Sequence, residues 1–376
     1  MNNGKICVQV VGVGGGGGNA VNHIAQHGTD GIEFVAVNTD VQALNALQGP
    51  RTFQIGADLT GGYGSGARPD IGRQAAEEDA ERLRELVHPA DLVFLAAGLG
   101  GGTGTGATPV IAKVAKELGA LTVAVVTKPF GFEGEQRMRV AEAGLIELRQ
   151  TVDTVVCVPN DRVLKLCGEN VSVAEAFRMT DEVLNQAVTA IGDLISHVGI
   201  INIDYGDIAT VVKEPGEALV GFGEASGENY ATKAVRYALA SHLLERSDIV
   251  GAKKVLLSIV AGRDVSMKDV QEALQCVNNE VRGEANVVFG VILRDDMQNK
   301  GKVTLIATGL PDVKRSAEAK PKRVQISPLK AHQADFDFLP ADTGRFANLE
   351  PTLIEGVNYD TPTFIRWGRK LLSDAV

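Results

Sequence analysis

The chain has little cysteine, no surplus of positive charge and no long apolar run. Its four cysteines, Cys7, Cys157, Cys167 and Cys276, are scattered and form no CxxC pair. They exclude a disulfide framework and fit buried thiols in a reducing compartment. Lysine and arginine total 37 against 47 acidic residues, a net charge of -10, so no basic field exists to hold a nucleic acid. The N-terminus enters glycines after one short apolar segment, without a signal-type h-region, and no stretch of about 18 apolar residues follows. A cytoplasmic location is therefore expected. No G-x-x-x-x-G-K-[ST] sequence occurs either, so any phosphate site has to work without a P-loop lysine.

What is present is enough for two ordinary domains: 376 residues, 44% of them hydrophobic. The runs ICVQVVGV, FVAVN, LVFLAAG, LTVAVVT and TVVCVPN are continuously apolar, the pattern of parallel strands covered on both faces. Helix-period segments such as NAVNHIAQH, DIGRQAAEEDAERLRELV and TPVIAKVAKEL lie between them. Residues 1–172 are thus expected to form an α/β, doubly wound parallel-sheet domain with ligand loops at the carboxyl ends of its strands. Residues 173–198 predict one long central helix, and 199–310 a second, smaller α+β domain. The polar, charged stretch 311–358 predicts a disordered linker and flexible tail. Residues 359–376 hold three aromatics and three basic residues, as a C-terminal docking peptide would.

Two glycine clusters carry the chemistry. The first, Gly12 to Gly18 followed by Asn19, sits between a strand and a helix, where backbone N–H groups can surround phosphate oxygens; Gly14, Gly15, Gly16 and Gly17 are its centre. Alone it is ambiguous, since Gly12, Gly14 and Gly17 also satisfy G-x-G-x-x-G, and Asp40 follows the next strand like the ribose-binding acid of a nicotinamide enzyme. The second cluster, after LVFLAAG, decides for a nucleotide phosphate site: Gly98 ends the strand and Gly101, Gly102, Thr103, Gly104, Thr105 and Gly106 follow, with Pro109 expected in the first helical turn. His23 and His27 share a helical face, but no third ligand accompanies them, so no protein-held metal is expected.

With GGGTGTG the chain resembles the tubulin/FtsZ family in its bacterial form, along essentially all of residues 6 to 310. VNTDVQAL, containing Asn38, resembles the family's second loop, and GGYGSGARPDIGR, containing Ser65, Gly66 and Ala67, its γ-phosphate-sensing loop. TKPFGFEGEQRMR resembles the ribose loop, which implies ribose contacts for Glu133 and Arg137, and Asn160 in VPND would approach the guanine. Phe177 and Asp181 stand four apart on the long helix and so share a face, where a ring can stack on a purine and a carboxylate can accept from guanine N–H groups. Taken alone, they also suit a core position and a solvated one. Asn202, Asp204 and Asp207 resemble the family's catalytic loop, which acts in trans on nucleotide held by a neighbouring subunit; taken alone they also read as an acidic helix cap.

The resemblance implies a GTPase that cycles between GTP and GDP, carries Mg²⁺ on the nucleotide and assembles head to tail into filaments at the division site. A weakly active, regulatory relative that co-assembles is the alternative. Asp360, Pro362, Phe364, Ile365 and Arg366 resemble the family's tail peptide for membrane-tethering and regulatory division proteins, which implies recruitment to the membrane only indirectly. Two positions depart from the family pattern: Ser65 replaces Ala and Arg68 replaces Asn. A guanidinium beside the γ-phosphate is expected to alter turnover.

Overall fold

A computed structural model describes residues 6–27, 31–167, 171–196, 199–201, 203–214, 217–241, 249–282, 285–310, 353–354 and 357–358. The chain first alternates strand and helix: β1 (Val8–Val13), α1 (Gly14–His27), β2 (Ile32–Asn38), α2 (Val41–Asn45), β3 (Arg51–Gln54), α3 (Ala57–Thr60), α4 (Pro69–Glu78), α5 (Ala80–Val87), β4 (Leu92–Gly98), α6 (Thr103–Glu117), β5 (Leu121–Lys128), α7 (Glu135–Thr151), β6 (Thr154–Pro159) and α8 (Asn160–Cys167). The long α9 (Val173–Ser196) leads to α10 (Tyr205–Val212), β7 (Glu217–Ser226), α11 (Tyr230–Leu239), β8 (Lys254–Ala261), α12 (Met267–Glu280), β9 (Asn286–Leu293) and β10 (Lys300–Thr308).

These ten strands join one mostly parallel sheet in the order β3-β2-β1-β4-β5-β6-β7-β10-β8-β9. Only β10 runs antiparallel, to both β7 and β8. β7 is the joint: Glu217 and Ala218 pair with β6, while Leu219 onward pairs with β10. The apolar runs of the central strands are explained by burial on both faces. In β4, Leu92, Phe94 and Ala96 enter one core with Val21 and Ile24 of α1 and Leu184 and Val188 of α9. Val93, Leu95 and Ala97 enter the other, with Leu83, Ile111 and Leu148 from α5, α6 and α7. A third core gathers Val235, Leu257, Val277 and Leu305 under α11 and α12.

Three local expectations are corrected. The single helix expected over DIGRQAAEEDAERLRELV is two, broken at Asp79, whose buried carboxylate accepts the Gly56 N–H at 2.7 Å and pairs with Arg82 at 2.6 Å. Pro109 does not open its helix: α6 begins at Thr103 and Pro109 lies inside it. Nearby, the Thr108 hydroxyl donates to the Gly104 carbonyl at 2.5 Å. β3, with sequence RTFQ, is a partly polar edge strand that carries no apolar run, so it was invisible to that criterion.

Residues 1–312 form one compact unit and 313–376 another. Within the second, Leu353–Ile354 and Val357–Asn358 pair as a short antiparallel ladder. The rest of the expected linker and the tail peptide, including Asp360, Pro362, Phe364, Ile365 and Arg366, lie outside the described residues. Among the described residues no helix is long and apolar enough to cross a membrane.

Candidate functional site

The loops leaving the carboxyl ends of β1, β2, β4, β5 and β6 surround a cavity of about 490 Å³. Gly15, Gly16 and Asn19 reach it from the start of α1, and Gly98, Gly101, Gly102, Thr103 and Gly104 from β4 and the start of α6. Two helix N-termini therefore open on the same space, each with unpaired N–H groups and a positive dipole end suited to an anion. Asn38 at the end of β2, Thr39 and Asp40 after it, and the loop from Tyr63 to Ala67 form one wall. Thr127, Pro129, Glu133 and Arg137 form another; Asn160, Phe177, Thr180, Asp181 and Leu184 close the end beyond β6.

The glycines of the two clusters divide by task. A Cβ on Gly15 or Gly101 would meet nothing within 4 Å, so these positions leave room for an approaching ligand. Gly14, Gly17, Thr105 and Gly106, expected at the nucleotide, are not part of the cavity wall. Their residue types have packing reasons. Gly14 has φ +73° and lies against Gly104; a Cβ on Gly17 would strike the Ala96 carbonyl oxygen, and one on Gly106 that of Pro69. The Thr105 hydroxyl accepts the Gly100 N–H at 2.9 Å.

The end beyond β6 is built for a flat, polar-edged group. Phe177 is 42% exposed, its back held edge-on by the Phe130 ring at 5.1 Å, and Phe130 in turn stacks on Phe132. Asn160 is 4% exposed, and its Oδ1 has no hydrogen-bond partner. An orphaned buried acceptor of this kind is costly unless a ligand completes it. Burial pushes the Asp181 carboxyl up to about 7. Glu133 accepts from the Phe130 N–H at 2.8 Å and pairs with Arg137 at 2.8 Å, so this acid and base are set by each other. Thr180 and Leu184 fall three and seven residues after Phe177, on the same helical face; helical spacing extended from Phe177 would have found them. Thr127 lies in the last residues of β5 and Pro129 follows its end, and Thr39 and Tyr63 lie within the two loop motifs already singled out.

Asp40 is occupied otherwise than a nicotinamide enzyme would require: its carboxylate caps α2, accepting from Gln42 and Ala43 N–H at 2.9 and 3.1 Å. Arg68 does not line the cavity either. Its guanidinium lies 2.6 Å from Asp70, both side chains more than half exposed, and each holds the other in its charged form.

The acidic loop lies elsewhere. Asp204 caps α10, accepting the Asp207 N–H at 2.7 Å, and both residues are exposed. Neither touches the cavity. Tyr205 donates to the carbonyl of Asp91, the residue before β4, at 2.8 Å. The loop is thereby fixed at the amino ends of the strands whose carboxyl ends carry the phosphate loops. Asn202 lies outside the described residues.

A parallel α/β sheet with two glycine-rich turns and two helix N-termini converging on one cavity, and no P-loop lysine, defines a nucleotide-binding protein of the tubulin type. Comparison with known proteins makes the assignment specific. Residues 7–168 match the tubulin/FtsZ family, GTPase domain, and residues 216–311 the FtsZ family, C-terminal domain. The cell division protein FtsZ of Buchnera aphidicola subsp. Schizaphis graminum is 44% identical over 356 residues, covering 93% of this chain and 89% of that protein. Two solved structures of FtsZ from M. jannaschii superpose with TM-scores of 0.77. One, a point mutant, is 39% identical and covers 81% of this chain and 92% of its own; the other, an empty dimer, is 38% identical and covers 82% and 89%. The chain belongs to the tubulin/FtsZ family of GTPases, in its FtsZ cell-division branch.

Proposed function

We propose that this chain binds GTP in the cavity, stacks head to tail into filaments, and hydrolyses the nucleotide only where two subunits meet. The observation that carries this reading is the separation of Asp204 and Asp207 from the cavity along the sheet: one chain holds both halves of a site at opposite ends of β4. A second copy stacked on the first along the strand direction brings its acidic loop over the first copy's cavity. Repetition of such a heterologous contact without closure makes a filament.

In this reading guanine lies on Phe177, with its N–H edge toward Asp181 and a contact to the orphaned Asn160 Oδ1. Glu133 and Arg137 flank the ribose. Gly15, Gly16, Gly101, Gly102, Thr103 and Gly104 donate to the phosphates, and Ser65, Gly66 and Ala67 face the third. Asp204 and Asp207 of the neighbour hold a water in line with the γ-phosphorus. The water oxygen forms the new P–O bond as the bond to the β-phosphate oxygen breaks, and the displaced proton passes to a carboxylate or to solvent.

Residues 1–172 then act as the GTP-binding domain, 173–198 as the strut, 199–310 as the activating domain, 311–358 as the linker and 359–376 as the partner-binding peptide. The carboxylates lining the cavity suit a Mg²⁺ held by phosphate oxygens and water: Asp40 caps a helix, Glu133 is paired with Arg137, and Asp181 is at the base end. When bound, the ion neutralises charge on the transferred phosphoryl group. The protein works in the cytoplasm, and the tail peptide recruits it to the membrane through division partners.

The test is phosphate release from GTP against protein concentration, with light scattering in parallel and Asp207→Ala as control. A threshold shared by both signals, with turnover lost and scattering kept in the variant, is expected. Hydrolysis proportional to protein concentration, with no threshold, would sink the assembly requirement; scattering without hydrolysis in the native chain would favour the regulatory alternative.

A further inference from the structure

Three hydroxyls at the far end of the cavity form a continuous chain. Thr39 Oγ1 lies 2.7 Å from Thr103 Oγ1, and Thr103 Oγ1 lies 3.0 Å from Ser65 Oγ. All three residues line the cavity, and they are 0%, 7% and 8% exposed. They come from three separate elements: the turn after β2, the first residue of α6, and the loop that precedes α4.

Each hydroxyl has one proton to give. Two contacts use two of the three protons, so one proton is left over for a further acceptor. If Thr39 and Ser65 both donate to Thr103, the free proton is that of Thr103, at the N-terminus of α6 where an anion is most favoured. Such chains strengthen one another in a site shielded from water. The surroundings are shaped round the Ser65 hydroxyl: a Cβ on Gly102 would strike its Oγ. Ser65 is also the buried side-chain donor of the Tyr63–Ala67 loop, since Tyr63 is 86% exposed and the other members are glycine and alanine. Arg68, the nearest cation in sequence, is taken up by Asp70.

The chain sits at the end of the cavity opposite the base. Tyr63 bridges to Asp40 and the Gly64 N–H donates to the Thr39 carbonyl, so the loop is tied to the end of β2. Phe177 and Asp181 close the cavity beyond β6, four strand intervals away, roughly 19 Å at the usual strand spacing. A nucleotide whose base lies on Phe177 reaches Ser65 only with its outermost phosphate. Two neighbouring residues keep the loop in an unusual backbone shape, Gly66 at φ +59° and Ala67 at φ +58°. The Ser65–Thr103 bond is a side-chain tie that holds this shape against the start of α6.

We propose that Ser65 is a positioning residue for the terminal phosphate: through Thr103 it directs a hydroxyl proton at that phosphate and holds the 63–67 loop over it, so that the site prefers tri- to diphosphate. The proposal rests on the guanine-nucleotide reading of the cavity. It concerns a residue where this chain departs from the family pattern.

The experiment measures binding of GDP and of guanosine 5′-(β,γ-methylene)triphosphate by displacement of a fluorescent GDP analogue, with full-length protein below its assembly threshold. Ser65→Ala is expected to weaken the triphosphate by about tenfold, the lower end for a hydrogen bond to a charged group, and to leave GDP within about twofold. The unchanged GDP affinity doubles as evidence of intact folding. In a cycle with Thr103→Val, the two losses for triphosphate should not add, because one chain is broken either way. A native chain that binds neither nucleotide defeats the reading of the cavity itself. A native chain that binds both, with Ser65→Ala keeping the same preference for triphosphate, overturns this proposal alone; fully additive losses overturn the route through Thr103.

Discussion

The Tyr205 phenol donates to the Asp91 carbonyl across 2.8 Å, joining residues 114 apart in sequence. Asp91 also holds the Cys7 N–H through its carboxylate at 2.8 Å, and its carbonyl accepts the Leu121 N–H. The acidic loop is thus tied to the amino ends of β1, β4 and β5. The same strands deliver Gly15, Gly101 and Thr127 to the cavity at their other ends. Seven residues of β4 span about 23 Å, and no side chain bridges that distance. In the proposed mechanism this separation divides one reaction between two subunits.

Asp204 caps α10 and, in the proposed mechanism, also acts on the neighbour's nucleotide, two roles that substitutions can separate. Asp204→Ala should lower turnover by at least an order of magnitude and also cost about 1 kcal/mol of stability, because the α10 cap is lost. Asp204→Asn should lower turnover similarly while keeping the cap and nearly all the stability. Urea unfolding beside phosphate release checks this; equal destabilisation by both variants would remove the capping explanation.

Binding of guanine should depend on pH through Asp181. Burial raises its carboxyl from the ordinary 3.8 to about 7. The folded chain therefore holds this proton more tightly than the unfolded chain does. Stability from that source is fully present below the ordinary aspartate range and is lost as pH rises through about 7. In the proposed binding mode the nucleotide requires the opposite form, since a carboxylate must accept from guanine. GDP affinity should fall up to about tenfold per pH unit below 7, with proton release on binding near pH 6.5 seen by calorimetry in buffers of different ionisation enthalpy. Asp181→Asn should bind weakly with a flatter profile. A flat profile in the native chain would show that Asp181 does not meet the base.

Two glycines of the same cluster should behave oppositely. Gly17→Ala drives a methyl into the Ala96 carbonyl of the central strand, where backbone has to move, and should cost about 3 kcal/mol or more. Gly15→Ala points into open cavity, should leave melting within a few degrees, and should weaken nucleotide binding by about tenfold or more. Thermal melts with and without GDP distinguish them; similar melting temperatures in the two variants would contradict the division of tasks.

Arg68 should matter little to catalysis. Its guanidinium is committed to Asp70 on the surface and does not line the cavity. Arg68→Asn is expected to keep turnover within about twofold at moderate salt, as for most exposed pairs. A larger change in steady-state phosphate release would restore the effect expected from its sequence position.

The amino-acid sequence by itself determined the central strands, the long helix and the two phosphate loops. Each is a local pattern: continuous apolarity for strands buried on both faces, helical spacing for Phe177 and Asp181, and glycine where backbone must approach an anion. The tertiary structure decided what depends on neighbours distant in the chain. Gly14, Gly15 and Gly17 are alike as letters, yet Gly15 faces the cavity, Gly14 abuts Gly104 and Gly17 abuts Ala96. Asp79 breaks a helix because Gly56 comes to meet it. Arg68 stands in a phosphate-loop motif but finds Asp70 first. β7 carries one sheet through what composition suggested as two domains. The acidic loop and the cavity, each legible locally, are held at opposite ends of the strands because Tyr205 meets Asp91, a proximity set by packing over long sequence separations that no local spacing records.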